Sequence, residues 1–119
     1  AGSGIGRAIA LDLAGAGANV TICGRRIDPL QETKDAILAS EGEAEISVCD
    51  LTDPQATEVM ANQILEKRNC IDILVNNAGS DVSESFAGGE TDCWDEMIDV
   101  NLNGIFNATK CVIPQMKKL

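Results

Sequence analysis

The first seven residues, Ala1-Gly2-Ser3-Gly4-Ile5-Gly6-Arg7, carry the first chemistry legible in the chain. Glycines just before a helix let the backbone approach a phosphate closely, and the helix end presents unpaired N–H groups and positive dipole charge to that anion. The generic dinucleotide spacing G-x-G-x-x-G is not met, because the third glycine would fall where Arg7 stands. Taken alone, the turn is weak evidence, with tight helix–strand packing as the alternative. A second signal lies at the end of the β-prone run 19–23, which continues Cys23-Gly24-Arg25-Arg26. A site selective for NAD places an acid about 20 residues beyond the glycines, on the ribose hydroxyls. Gly24 removes bulk and charge at that place, and Asp28 comes too late, beside Pro29. The Arg25 guanidinium offers a planar fork of donors to a 2′-phosphate, and Ser3 can add a hydroxyl. Arg26 is either a second phosphate contact or a solvated loop charge. The expected cofactor is NADP in preference to NAD.

Composition removes several other chemistries. The chain has no histidine and no tyrosine, so a Ser-His-Asp triad, a Cys-His pair and a His-ligated metal are excluded for this segment, and no metal site is expected. The five cysteines are spread singly with no C-x-x-C pair, which argues against a disulfide framework or zinc knuckle. Isolated cysteines in apolar stretches are usually small buried hydrophobes of a reducing, cytoplasmic compartment. A formal net charge of -10 disfavours nucleic acid or an anionic membrane as partner. No apolar run approaches a membrane span. Glu84, Asp95, Glu96 and Asp99 form an acidic group that reads most simply as a solvated helix face.

The most specific motif is Asn76-Asn77-Ala78-Gly79, directly after the apolar run Ile71-Asp72-Ile73-Leu74-Val75. N-N-A-G in that place resembles the diagnostic element of the classical short-chain dehydrogenase/reductase family. That family's turn reads T-G-x-x-x-G-x-G. Gly4 and Gly6 match its last two glycines, and Ala1, Gly2 and Ser3 the variable positions. Asp50, in Cys49-Asp50-Leu51, and the segment Val100-Asn101-Leu102-Asn103-Gly104-Ile105-Phe106 match two further family elements. The matches run in order along the whole chain.

The resemblance implies roles. Ser3, Gly4, Ile5 and Gly6 line the pyrophosphate and adenosine-ribose region. Asp50 and Leu51 contact the adenine, a carboxylate accepting from its amino group and a backbone N–H reaching a ring nitrogen. For Asp50 a capping or turn role before Asp53 is the alternative. Asn77, Ala78 and Gly79 border the ribose and the nicotinamide, and Asn76 ties neighbouring strands. Asn101 is the one catalytic residue carried over. Its implied role is to hold a relay water by interrupting regular bonding in the helix, with Asn103 as its rival in sequence. The family's Ser and Y-x-x-x-K are expected beyond Leu119.

The elements that position these residues follow from periodicity and caps. Helices are expected over 5–16, from Asp28-Pro29 to about Ser40, from Asp53-Pro54 to about Lys67, and as one long helix from an N-cap at Thr91. Strands are expected over 19–23, 44–49 and 71–75. The alternation implies an α/β fold with a doubly wound, Rossmann-type parallel sheet. The chain reads as one partial dinucleotide-binding domain, 1–119, cut at both ends. The first, central strand and the C-terminal half are missing, so the isolated segment should fold poorly and not turn over substrate. The implied activity is hydride exchange between NADP(H) and a small-molecule carbonyl/alcohol pair, by a 3-oxoacyl-thioester reductase or a broad ketone reductase. A regulatory protein of the same fold without catalysis is the rival reading. The resemblance also implies a homo-tetramer or homo-dimer built through the last helix and the next one.

Overall fold

The structure, a computed structural model, describes residues 1–81, 85 and 87–119. Glu84 of the acidic group, and part of the loop 80–89, lie outside the described residues. The chain divides into two compact units, Ala1–Asp50 and Leu51–Leu119.

The first unit runs α1 (Gly4–Gly15), β1 (Asn19–Gly24), α2 (Ile27–Ala39), β2 (Glu43–Val48). The strands are parallel, with Asn19 opposite Glu43 and Gly24 opposite Val48. Parallel pairing needs a crossover, which α2 supplies. Ile22, Leu30 and Ile37 are fully buried between sheet and helices, and Ala10, Ala14 and Ala44 complete the core. On α1 the buried positions are Gly6, Ala10 and Ala14, a stripe of small residues one helical turn apart that lets α2 pack close against it.

The helix ends show where local chemistry decides the chain path. α1 closes with Gly17 N–H on the Ala14 carbonyl and Ala18 N–H on that of Leu13, and Gly17 takes φ 94°. This is the bonding of a Schellman cap. α2 closes the same way, with Glu41 N–H on Leu38 and Gly42 N–H on Ile37. Here Glu41, not the neighbouring glycine, takes the left-handed conformation, at φ 63°. The reason is packing: a Cβ on Gly42 would stand 2.8 Å from Ile37 Cγ2 and 3.2 Å from Ala14 Cβ. Gly42 is needed for close approach, so the residue before it bears the strain.

The second unit runs α3 (Pro54–Arg68), α4 (Thr91–Ile98), a π-helical turn (Asp99–Asn103) and α5 (Gly104–Met116). Asp53 caps α3, its Oδ1 accepting from the N–H groups of Gln55 and Ala56 at 3.0 Å, with Pro54 following. α3 packs on α5 through small residues: Thr57 and Ala61 are buried on one helix, and Gly104, Ala108 and Val112 on the other.

Four expectations need correction. The run 71–75 is not a strand, and it pairs with no strand among the described residues; apolar, β-branched residues favour a strand, but a ladder also requires a neighbouring edge. α2 starts at Ile27 with Arg26 as cap residue and no side-chain cap bond, which puts Asp28 in the first turn rather than at the cap. Thr91 is the first residue of α4, after Glu90. The long final helix is interrupted by the π turn, and its apolar stripe is largely open: Ile98, Leu102, Phe106 and Ile113 are exposed, because the small residues face α3.

Gly42→Ala is expected to destabilise the protein by about 2 kcal/mol through overpacking against Ile37 and Ala14. A urea titration of the purified protein checks this, and a wild-type midpoint would contradict it.

Candidate functional site

In the first unit, the glycine turn is held against the start of α2 and the end of β1. The Ala1 amino group donates to the Cys23 carbonyl at 3.1 Å. Thr33, fully buried on α2, directs its hydroxyl at the Gly2 carbonyl (3.3 Å) and the Pro29 carbonyl (3.1 Å). A Cβ on Gly2 would lie 2.6 Å from Pro29 Cβ, so only glycine lets the turn seat there. These contacts bring the turn beside the β1–α2 connection that bears Arg25 and Arg26. Both arginines are exposed, as are Ser3, Gly4 and Ile5, whereas Gly6 is a buried position of α1. Gly24 is half-buried, and a Cβ on it would stand 3.3 Å from Leu30 Cδ2, so an acid there would crowd the core.

α1 begins at Gly4 behind Ser3, which makes no side-chain cap bond. The first bond into the helix is Arg7 N–H to the Ser3 carbonyl, which leaves the N–H groups of Gly4, Ile5 and Gly6 without an intrahelical acceptor. Gly4 adopts φ +57° with nothing within 4 Å of the place a Cβ would take. Free donors, open space and a helix N-terminus form a cradle that fits a phosphate. Asp50 is exposed at the end of this unit.

In the second unit, helix side chains hold the segment 71–80 at Ile71, Asn76 and Ser80. The Gln115 amide grips the Ile71 backbone at both ends, Ile71 N–H donating to Oε1 (3.1 Å) and Nε2 donating to the Ile71 carbonyl (2.8 Å). Asn76 Nδ2 donates to Thr109 Oγ1 at 3.3 Å, so its amide ties this segment to α5 and not strand to strand. The Asn101 amide repeats the two-handed grip on Ser80, accepting from its N–H (2.9 Å) and donating to its carbonyl (2.8 Å). Gly79 is required beneath this grip, since a Cβ there would stand 3.0 Å from Asn101 Oδ1. Asn77, Ala78 and Gly79 themselves are exposed. Ser80 Oγ is buried with no partner among the described residues.

Asn101 lies in the π turn, where Gly104 N–H reaches back to the Asp99 carbonyl. Such turns break the regular ladder and recur at functional sites. Asn103, its rival in sequence, spends its amide on Asp99 Oδ1 at 2.6 Å within the same turn. Leu51, half-buried, has its carbonyl held by Asn107 Nδ2 (2.8 Å) and approached by the buried Thr57 hydroxyl (3.4 Å). The sequence reading singled out Asn101 but missed Thr33, Thr57, Asn107 and Gln115. The only signal for them was a polar residue within an apolar helical pattern, which does not name its partner.

A model of the short-chain dehydrogenase family matches residues 1–119. The chain belongs to the short-chain dehydrogenase family. Among curated members, an uncharacterized oxidoreductase of Bacillus subtilis is 39% identical over 98% of this chain and 43% of its own. One of Staphylococcus saprophyticus is 36% identical over 98% of this chain and 50% of its own. Among solved structures, a metagenomic short-chain oxidoreductase in complex with NADP is 34% identical, with a TM-score of 0.92, covering 97% of this chain and 52% of that one. An alcohol dehydrogenase from Thermococcus sibiricus complexed with 5-hydroxy-NADP is 26% identical, with a TM-score of 0.92, covering 98% and 50%. The chain thus spans about half the length of the relatives it matches and shares the doubly wound Rossmann-type fold of this family.

None of the five cysteines is in a disulfide. Burial is the main cause raising the Cys23 and Cys111 thiols above the ordinary value, and a hydrogen bond to Asp72 the main cause for Cys70. Raised thiol pKa values keep these groups protonated and weakly nucleophilic at neutral pH. No helix among the described residues is long and apolar enough to cross a membrane.

Two expectations follow. Asn101→Ala and Gly79→Ala each destabilise by about 1–2 kcal/mol through loss of the Ser80 grip. The double variant loses little more, because both changes break one interaction, and a double-mutant cycle reads this as coupling of about 1 kcal/mol. Separately, alkylation of Cys70 rises with pH later than that of an ordinary thiol, and Asp72→Asn moves its profile to lower pH. An unmoved profile would show that Asp72 does not hold the proton there.

Proposed function

We propose that the protein is an NADP(H)-dependent oxidoreductase that interconverts a small-molecule carbonyl and alcohol. The observation that carries this reading is the glycine turn packed beside the β1–α2 connection, with Gly24 and Arg25 where an NAD site carries an acid. The N–H groups of Gly4, Ile5 and Gly6 bind the pyrophosphate. Ser3 and Arg25 take the 2′-phosphate, with Arg26 adding long-range charge. Asp50 and Leu51 hold the adenine, and Asn77, Ala78 and Gly79 border the ribose and the nicotinamide. The bound cofactor supplies or accepts the hydride. Asn101 fixes the Ser80 peptide with its side chain, while the π turn around it frees backbone acceptors to order a relay water. A 3-oxoacyl thioester or a simple ketone suits this chemistry, residues 1–119 serving as part of one dinucleotide-binding domain in a cytoplasmic protein that assembles as a homo-dimer or homo-tetramer. Neither nucleic acid nor a membrane is a partner.

With the complete protein, kcat/KM is expected to be higher for NADPH than for NADH on a panel of ketones and 3-oxoacyl thioesters. Arg25→Ala should lower the NADPH value at least tenfold, as expected for losing a charge-assisted pair of about 1.5–3 kcal/mol, and leave NADH nearly unchanged. A wild-type ratio below one rejects the assignment.

A further inference from the structure

Leu51 is anchored from an unexpected direction. Its carbonyl accepts a 2.8 Å bond from Asn107 Nδ2, a residue 56 positions away on α5. The Thr57 hydroxyl, on a side chain with no exposed surface, approaches the same carbonyl at 3.4 Å while donating at 2.8 Å to Asp53. Gly104, buried one turn before Asn107, lies against the same residue: the place a Cβ would take is 3.4 Å from Leu51 Cβ, an ordinary packing distance. The Leu51 peptide belongs to a bend between β2 and α3 with no regular ladder to fix it. Asn107 therefore supplies from α5 what secondary structure does not.

We propose that Asn107 is a positioning residue for adenine binding. The bond fixes the Leu51–Thr52 peptide and, through the Leu51 Cα, restricts where the Leu51 N–H, read above as the adenine contact, can point. This rests on the reading of Leu51 as an adenine contact given above. Asn107 touches neither the reacting atoms nor the cofactor. Its loss weakens recognition of the adenosine half and leaves chemistry at the nicotinamide end intact.

The test uses the complete protein and two variants. Asn107→Asp keeps the shape but removes the donor; Asn107→Leu keeps the volume and is a good helix former. Expected for either is a roughly tenfold rise in KM for NADPH, the fold-change of one hydrogen bond of about 1.4 kcal/mol. The same rise is expected in Kd for adenosine 2′,5′-bisphosphate. At saturation kcat stays near wild type, and KM for reduced nicotinamide mononucleotide, which lacks adenine, does not move. A folded variant with unchanged Kd for the bisphosphate overturns the proposal, as does an equal loss with the mononucleotide. Failure of both variants to fold makes the bond purely structural and overturns it too. Wild-type protein that binds no adenine ligand rejects the cofactor reading itself, and this proposal with it.

Discussion

A backbone segment that leaves regular structure must still satisfy its N–H and C=O groups, and in the second unit that demand falls on the side chains of one continuous helical stretch. Gln115 and Asn101 each present a side-chain amide, which carries a donor and an acceptor at the spacing of a peptide group, and each grips one residue of the segment 71–80 at both ends. In effect the amide stands in for a neighbouring strand. Asn107 does the same with one hand for Leu51. The positions of the N-N-A-G residues and of the Leu51 bend are thereby referred to a single rigid element. Sites placed by rigid elements keep their geometry better than sites placed by loops alone.

Close packing of small residues makes these grips possible. The asparagine and glutamine side chains are short, so the helix axis has to lie near the segments it holds. Thr57 and Ala61 against Gly104, Ala108 and Val112 bring α3 and α5 together, and Leu51, just ahead of the α3 cap, is carried into reach of Asn107. The same device operates independently in the first unit, where Ala10 and Ala14 of α1 admit α2, and Gly2 and Gly42 each stand where a methyl group would collide. Glu41 in the left-handed region shows how strict this packing is: the chain accepts strain at a residue with a side chain so that the glycine can serve the tighter place.

Acidic residues outnumber basic ones in both units. The exposed turn of the first unit offers helix-end N–H groups and two arginines within a chain of net charge -10. Helix-end donors act within the first turn, whereas net charge acts over the whole surface. The half-buried thiols, held protonated, add no competing nucleophile.

What the sequence determined by itself was local in origin. The glycine turn, the Asp53-Pro54 helix start, the two parallel strands with their crossover, and the family to which N-N-A-G belongs all follow from residues a few positions apart, where dihedral preference, capping and periodicity act. Gly24-Arg25 likewise raises an expectation about the cofactor from adjacent residues alone. Only the tertiary structure decided which backbone groups the amides of Asn101, Asn107 and Gln115 hold, that the run 71–75 is held by a helix side chain at Ile71 and not paired as a strand, that Glu41 yields to Gly42, and that the final helix buries its small residues and leaves Leu102 and Phe106 open. The physical reason is distance along the chain. A partner 21, 44 or 56 positions away leaves no trace in local periodicity, and the same asparagine reads as a solvated surface residue until packing brings a peptide group to it.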